Sequence, residues 1–341
     1  MKVLFVGLGG VGQRHLRLLK AQYPEAEVYA FRTVGRNFEI DDQLVAHPDI
    51  KVAKKYGIEE LETLSDALSV SPKFAVIANP TSLHFETVSE MVASGVSALV
   101  EKPISAKRHP IKNLMGAAVK NGVYIQIGYM YRFHPAFAVL NHLIGSKRLG
   151  QLICGSISVG SYMPEWHKYE SFNTLYAAQE SLGGGVLATE VHEIDILCGI
   201  FGAPRRVSSV GYRTKRYGLK VIDTAAITME FGVNRRPLLV TGHLSFVQDT
   251  PVRSIEIQGT KGKVQWDILA GQITLHSEET AEVWDFHDVP RNSLFESQLR
   301  HFIDRLDKGE INDNEIAQIV NTDQTIVSLQ ESLISGAVRE L

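Results

Sequence analysis

The chain has 341 residues, 44% of them hydrophobic and 21% charged, with a formal net charge of -3. That length exceeds one ordinary core and suits two domains, and the composition is globular rather than disordered. The near-neutral balance, without a long basic run, disfavours nucleic acid and anionic membrane as partners.

The two cysteines, Cys154 and Cys198, have no CxxC spacing. Neither a disulfide framework nor a metal site is expected, and a reduced, cytoplasmic chain is the natural expectation. No apolar run reaches the ~18 residues that a membrane span needs. The N-terminus carries one lysine and then a short apolar run that ends in glycines, which reads as a first strand rather than a signal peptide.

Residues 3–6 form a continuous apolar run, as in a strand buried on both faces of a parallel sheet. The spacing predicts a helix over 13–22, a strand over 28–31, a helix over 59–69 and a strand over 74–78. A helix over 82–94, a strand over 98–100, a helix over 107–121 and a strand over 123–127 follow. Strands that alternate with helices imply βαβ units and a parallel sheet. Beyond that point the rhythm changes. Strands are predicted at 151–162, 205–214, 222–232, 237–247 and 252–258 with few helices between them, which favours an antiparallel sheet. Helices at 187–201, 293–307 and 315–337 interrupt or flank it. The expected boundary lies at residue 122, with a dinucleotide-binding domain over 1–122 and a substrate-binding and oligomerisation domain over 123–341. Along the second sheet Ile227, Met229 and Phe231 alternate, as do Leu244 and Phe246. An open sheet with such a face needs cover, so a homo-oligomer interface is expected there.

Gly7-Leu8-Gly9-Gly10-Val11-Gly12 fits G-x-G-x-x-G between a predicted strand and a predicted helix, the context that gives the pattern physical meaning. Gly7 permits the tight turn, Gly9 lets the backbone approach a pyrophosphate, and Gly12 lets helix and strand pack closely. The helix start, with Gly10 and Val11, offers N–H groups to the anion. A dinucleotide cofactor on a Rossmann domain is therefore expected. NAD-binding versions usually place an acid at the end of the second strand. Here Phe31-Arg32-Thr33 stands there and Arg36 follows, which favours NADP over NAD. The other readings of Arg32 are stacking on the adenine and simple exposure to solvent.

Three further segments carry a resemblance to a known family. The glycine loop runs into Gln13-Arg14-His15. Ala78-Asn79-Pro80-Thr81-Ser82-Leu83-His84 follows one strand. Glu101-Lys102-Pro103 directly follows the next. Together these segments resemble the Gfo/Idh/MocA-type sugar oxidoreductases, the family of glucose–fructose oxidoreductase and inositol dehydrogenase. The resemblance covers essentially the whole chain. It implies an N-terminal Rossmann doubly wound parallel sheet and a C-terminal α+β domain with a mainly antiparallel open sheet. It also implies a cofactor held near Asn79, Pro80, His84 and Glu101, with Lys102 beside the nicotinamide ribose and the substrate.

Lys102 has a physical reading of its own. Ligands in open parallel sheets bind outside the carboxyl ends of strands, and a positioned ammonium there can stabilise alkoxide character during hydride transfer. In the second half, Gly183-Gly184-Gly185 leads into a helix carrying His192 and Asp195. Residues three apart share a helical face, and histidine is suited to take a proton near neutral pH. The resemblance makes His192 the acid/base candidate and Asp195 its companion. Many relatives carry an aspartate three or four residues before this histidine. Thr189 and Ala188 stand there instead, and Glu190 is the nearby carboxylate that could replace it.

Arg132, in Tyr131-Arg132-Phe133-His134-Pro135, reads either as a domain-junction ion-pair partner or as a substrate ligand. Tyr162 and Trp166 lie in a loop suited either to stacking on a sugar ring or to an interface. The run from Trp166 to Asp195 resembles a subgroup associated with surface-sugar biosynthesis. The expected function is therefore exchange of hydride between NAD(P) and a secondary alcohol or ketone of a sugar-like substrate. The alternatives are reduction of a non-sugar carbonyl or imine on the same scaffold, and a non-catalytic NADP-binding sensor.

Overall fold

The computed structural model describes residues 1–33, 36–167, 169–233, 236–277 and 281–341. The first part of the chain runs β1 (Lys2–Val6), α1 (Gly10–Gln22), β2 (Glu27–Phe31), β3 (Phe38–Ile40), β4 (Ala46–Lys51), α2 (Val52–Tyr56), β5 (Ile58–Leu61) and α3 (Leu64–Ser69). It continues through β6 (Phe74–Ile77), α4 (His84–Ala93), β7 (Ser97–Val100), α5 (Ile111–Lys120) and β8 (Ile125–Ile127). Six of these strands form one parallel sheet in the order β5-β2-β1-β6-β7-β8. β3 and β4 form a separate antiparallel hairpin that the sequence reading did not foresee.

The apolar runs are continuous because helices cover both faces of this sheet. Successive residues of a strand point to opposite sides. Leu4, Val6, Ala75 and Ile77 meet α4 and α5 through Val88, Met91, Ile111 and Met115. Val3, Phe5, Phe74 and Val76 meet Leu16 and Leu19 of α1 on the other side.

The expected helix over 59–69 is corrected. Ile58–Leu61 is the edge strand, in parallel register from Val28↔Ile58 to Phe31↔Leu61. The preceding α2 ends at Gly57, whose φ of 62° closes the helix. An edge strand tolerates Glu59 and Glu60 because they face water. α3 begins only at Leu64, capped by the Thr63 side chain, which accepts from the Asp66 N–H at 3.0 Å.

The second part contains α6 (Pro135–Gly145), β9 (Leu152–Tyr162), α7 (Val186–Thr189), α8 (His192–Phe201), β10 (Arg206–Tyr212), β11 (Thr224–Val233), β12 (Arg236–Ser245) and β13 (Val247–Gly259). β14 (Gly262–Asp267), β15 (Gln272–Ser277), β16 (Ala281–Asp285), α9 (Arg291–Lys308), α10 (Asp313–Ser335) and β17 (Arg339–Glu340) complete it. The nine-stranded sheet has the order β16-β15-β14-β13-β9-β12-β11-β10-β17. Its ladders are antiparallel except at the β12–β9 pair.

The alternating residues expected to form an oligomer interface instead face the chain's own helices. Ile227, Met229, Phe231, Leu244 and Phe246 are at most 2% exposed, in one core with Leu140, Ile194, Leu197 and Ile326 of α6, α8 and α10. The opposite face is the open one. It presents Ser208, Thr228, Thr241 and Ser156 in cross-strand register, with Val210 and Leu239 exposed beside them.

The division of the chain is less simple than a cut at residue 122. β8 is still part of the first sheet. α9, far along the sequence, also returns to it. Its Leu299, Phe302 and Ile303 join the core under β1 and β6, and the Phe302 ring meets Phe74 edge-on at 5.2 Å.

α10 buries Asp323, 3% exposed, whose Oδ1 has no hydrogen-bond partner among the described residues. Burial pushes this carboxyl up to about 8, with Arg108 acting in the opposite sense. A carboxyl raised in the folded state favours folding when protonated. Its contribution is full below the ordinary carboxylate range and is lost as pH rises towards 8. Asp323→Asn is therefore expected to stabilise the protein more at pH ~8 than at pH ~5.5, by about 2–3 kcal/mol. Urea denaturation at both pH values measures this. An equal effect at both would show that Asp323 does not titrate on unfolding in this range.

Candidate active site and cofactor cradle

Three of the four glycines in the first loop do different jobs. Gly7 has φ of 95°, and a side chain there would meet the Ala78 carbonyl oxygen at 2.7 Å. A side chain at Gly12 would meet the Gly7 carbonyl oxygen at 2.5 Å, which sets how closely α1 packs on β1. At Gly9 a side chain would meet nothing within 4 Å among the described residues. That empty space lies at the N-terminus of α1, where the Gly9 cap supplies no side-chain acceptor. Helix N-termini leave their first N–H groups without partners, and those of Gly10 and Val11 fall in this turn. The residues fit a dinucleotide pyrophosphate.

Asn79 and Pro80 follow β6 beside this loop. The Asn79 side chain donates to Thr87 Oγ1 at 3.0 Å, while its buried Oδ1 has no partner among the described residues. His84 lies beneath both strand-end loops. Its Nδ1 meets the Pro103 carbonyl at 2.7 Å and its Nε2 the Asn79 carbonyl at 2.8 Å. It ties the end of β6 to the end of β7, and its ring nitrogens are already occupied. Burial lowers its basicity, against those two backbone contacts.

After β2, Arg32 donates to Glu60 and to the Arg36 carbonyl, while Arg36 pairs with Glu170. Both cations read from the sequence are thus matched by carboxylates, one from the sheet edge and one from the second domain. Thr33 follows Arg32 on this strand-end turn and is exposed.

β7 leads into Glu101 and Lys102, and the Lys102–Pro103 peptide is cis. Glu101 Oε1 meets His15 Nε2 of α1 at 2.9 Å, with side chains 12% and 2% exposed. Burial works to raise the Glu101 carboxyl, but His15 and Lys102 outweigh it and hold it below its ordinary range. The Lys102 ammonium reaches across to the second domain and donates to the Thr189 carbonyl at 2.7 Å. Burial lowers its basicity, and the nearby Glu190 and Glu101 carboxylates act against that, in opposition to Arg253.

Thr189 is the last residue of α7, and His192 is the first of α8. The expected continuous helix over 187–201 is broken between them. The break leaves the Thr189 carbonyl to accept from Lys102 and starts a new helix at His192. His192 is 7% exposed, and its Nδ1 has no partner among the described residues. The Tyr131 ring stands edge-on to it at 5.1 Å. Burial, with help from Lys102 and Arg253, pushes its basicity well below that of ordinary histidine, so the imidazole is neutral near pH 7 and ready to accept a proton.

Behind these groups lies an ion cluster that sequence reading missed in part. Arg253 of β13 donates to Glu190 Oε2 at 2.8 Å and to both oxygens of Glu193. Ser161 of β9 donates to Glu190 Oε1 at 3.0 Å. Burial works against the Arg253 charge, but Glu193 and Glu190 restore it and raise its basicity. Glu190 therefore does act on the Lys102 charge, held by an arginine 63 positions away.

Asp195 is differently placed from the companion role that the resemblance implied. Its carboxylate accepts two hydrogen bonds from Arg132, one of them at 2.8 Å from Nε, and a third from Thr322 at 3.0 Å. Burial raises this carboxyl, and Arg132 acts against that. Arg132 also donates to Gln318 of α10. Of its two sequence readings, the structure gives Arg132 the junction ion pair. Tyr162 packs against Tyr217 at 5.6 Å, and Trp166 stands edge-on to the buried Phe246 at 5.1 Å. Both serve packing at the end of the second sheet.

A parallel sheet with an open glycine cradle, joined to a second domain that brings a histidine opposite a strand-end lysine, defines a two-domain dinucleotide-binding oxidoreductase. Two family models make this specific. Residues 1–129 match the oxidoreductase family, NAD-binding Rossmann fold, and residues 137–265 match the Gfo/Idh/MocA C-terminal domain. The chain belongs to the Gfo/Idh/MocA oxidoreductase family.

The chain is 24% identical over 191 residues to the scyllo-inositol 2-dehydrogenase (NADP(+)) IolW of Bacillus subtilis, a match covering 54% of this chain and 48% of that protein. It spans about half the length of that relative. A match to D-xylose 1-dehydrogenase (NADP(+)) 2 of Haloferax volcanii, 22% identical, covers 98% of both chains. The fold is shared with the crystal structure of myo-inositol 2-dehydrogenase from Lactobacillus plantarum. The TM-score is 0.76 at 15% identity, over 100% of this chain and 99% of that one.

The glycine geometry separates binding from folding. Gly9→Val is expected to leave the melting temperature nearly unchanged and to abolish NAD(P)H binding, because its side chain fills only the cradle. Gly12→Val is expected to lose the fold, since it drives a side chain into the Gly7 backbone. Thermal melts and nicotinamide fluorescence titration read both. A folded Gly9→Val protein with unchanged affinity would remove the cofactor from this loop.

Proposed function

We propose that the protein is an NAD(P)-dependent oxidoreductase that interconverts a secondary alcohol and the matching ketone on a sugar or polyol. The observation that carries this reading is that Lys102 of the first domain reaches the Thr189 carbonyl of the second, three residues before the buried His192. Ser161, Glu190 and Arg253 form a polar cluster behind Lys102, a setting that suits a substrate with several hydroxyl groups. The inositol and xylose dehydrogenases among the relatives support the same class. A role in surface-sugar synthesis is part of this reading, on the resemblance of the 166–195 segment.

Gly7, Gly9, Gly10, Val11 and Gly12 would hold the pyrophosphate, with Asn79 and Pro80 alongside, and Lys102 would lie nearest the nicotinamide end. Arg32, Thr33 and Arg36 would face the adenosine ribose, and we read the two guanidinium charges as a preference for NADP over NAD. The bound nicotinamide supplies the hydride acceptor or donor. In alcohol oxidation the neutral His192 takes the hydroxyl proton. The Lys102 ammonium donates to the same oxygen and stabilises its developing negative charge. Asp195 acts through Arg132, by fixing the start of α8 and with it the imidazole. Glu190 holds the charge of Lys102.

The protein is also read as a self-associating chain in the cytoplasm. No helix among the described residues is long and apolar enough to cross a membrane, and Cys154 and Cys198 are unpaired. The open outer face of the second sheet, with Val210 and Leu239 exposed, is the surface that a second copy would cover. Leu239→Lys is expected to lower the mass measured by sedimentation, and an unchanged assembly would place the interface elsewhere.

His192→Ala and Lys102→Met are each expected to lower kcat on sugar or polyol substrates by about 10²–10⁴-fold. Because His192 titrates well below ordinary histidine, wild-type alcohol oxidation should stay level as pH falls through the usual histidine range and drop only beyond it. The His192 variant should lose that acid limb. Nicotinamide absorbance across a pH series measures both, and near wild-type turnover in His192→Ala would move the proton transfer to another group.

A further inference from the structure

Arg36 lies five positions beyond the end of β2, yet its guanidinium is held by a carboxylate of the second domain. Nη1 donates to Glu170 Oε1 at 3.1 Å and Nη2 donates to Oε2, a two-pronged pair. The guanidinium also lies 5.3 Å from the centroid of the Tyr169 ring. On that ring His167 stacks at 5.1 Å and 14°. The Tyr169 hydroxyl reaches the start of α1, where a methyl group added to Gly10 would meet it at 2.6 Å. His167, Tyr169 and Glu170 therefore bridge from the end of β2 to the N-terminus of α1. A dinucleotide lays its adenosine ribose and pyrophosphate over that same stretch of a Rossmann sheet.

Glu170 is 14% exposed. Burial works to raise its carboxyl, but His167 and Arg36 outweigh it and keep it ionised. A carboxylate that takes both terminal nitrogens of an arginine occupies the two-pronged edge that a second anion would use. Phosphate and carboxylate at one guanidinium would also repel each other.

We propose that Glu170 is a cofactor-specificity residue contributed by the second domain. Its carboxylate occupies Arg36 where a 2′-phosphate would bind. NADP then binds by displacing Glu170, whereas NAD, with a 2′-hydroxyl, binds with the pair intact. The residue lowers NADP affinity below what two arginines alone would give, and it links recognition of the 2′-phosphate to release of its own contact with Arg36. The inference rests on reading Arg36 as the phosphate contact.

The test is calorimetric titration of the wild-type protein, Glu170→Gln, Arg36→Ala and the double variant with NAD+ and with NADP+. Glu170→Gln keeps the shape and removes the charge. It is expected to tighten NADP+ about tenfold, worth ~1.4 kcal/mol, and to change NAD+ less than threefold. In the Arg36→Ala background the same substitution is expected to change neither cofactor, because the guanidinium they compete for is gone. Unchanged or weaker NADP+ binding by Glu170→Gln, or an equal gain for both cofactors, overturns the proposal. A wild-type protein that binds NAD+ more tightly overturns the NADP preference instead, while the response of NADP+ to Glu170→Gln still reports on Glu170.

Discussion

The Lys102 ammonium meets the Thr189 carbonyl at 2.7 Å, and the geometry of the cleft follows from that contact. One partner stands at the carboxyl end of β7 and the other at the end of α7, so the hydrogen bond fixes the separation of the two domains where chemistry would occur. It exists because the helix breaks. Had α7 run on into α8, the Thr189 carbonyl would be satisfied within the helix and His192 would be carried round its axis. The glycines before the break let the segment fit. A side chain at Gly183 would meet the Ser82 N–H nitrogen at 3.0 Å, and one at Gly184 the Tyr176 carbonyl oxygen at 2.4 Å.

Charge then explains which residues surround that contact. Two buried cations, Lys102 and Arg253, sit among Glu101, Glu190 and Glu193. Buried ions lose their hydration, and only close partners offset that loss. Arg253 is the group that makes Glu190 and Glu193 tolerable, since it donates to both. Glu190 in turn supports the charge of Lys102. The resulting field opposes protonation of His192, with burial and the Lys102 and Arg253 charges acting together. A cation and a neutral imidazole set apart by environment meet the condition for proton exchange at a single oxygen.

The parts of this arrangement that the sequence revealed are the local ones. The glycine loop, Glu101-Lys102-Pro103 and the glycines before His192 each encode a backbone requirement within a few residues. What it hid depends on residues far apart. Arg253 pairs with Glu190 across 63 positions and Arg36 with Glu170 across 134, and no periodicity reports such meetings. The alternation of Ile227, Met229 and Phe231 was visible, but not which layer would cover it. Helices α6, α8 and α10 are amphipathic and fill that face themselves. Residues 59–61 read as helix because Glu59 and Glu60 suited a solvated helical face as well as they suit the edge of a sheet. The return of α9 to the first core was equally hidden, since its apolar stripe names no partner.

A crystal structure with NAD(P)+ bound tests the convergence of the two domains most directly. The pyrophosphate is expected over Gly9 and the first turn of α1, with the nicotinamide ring in the cleft facing both the Lys102 ammonium and the His192 imidazole. A nicotinamide that lies outside that cleft, with Lys102 and His192 on the same side of it or out of reach, would contradict the assignment of one reacting group to each domain.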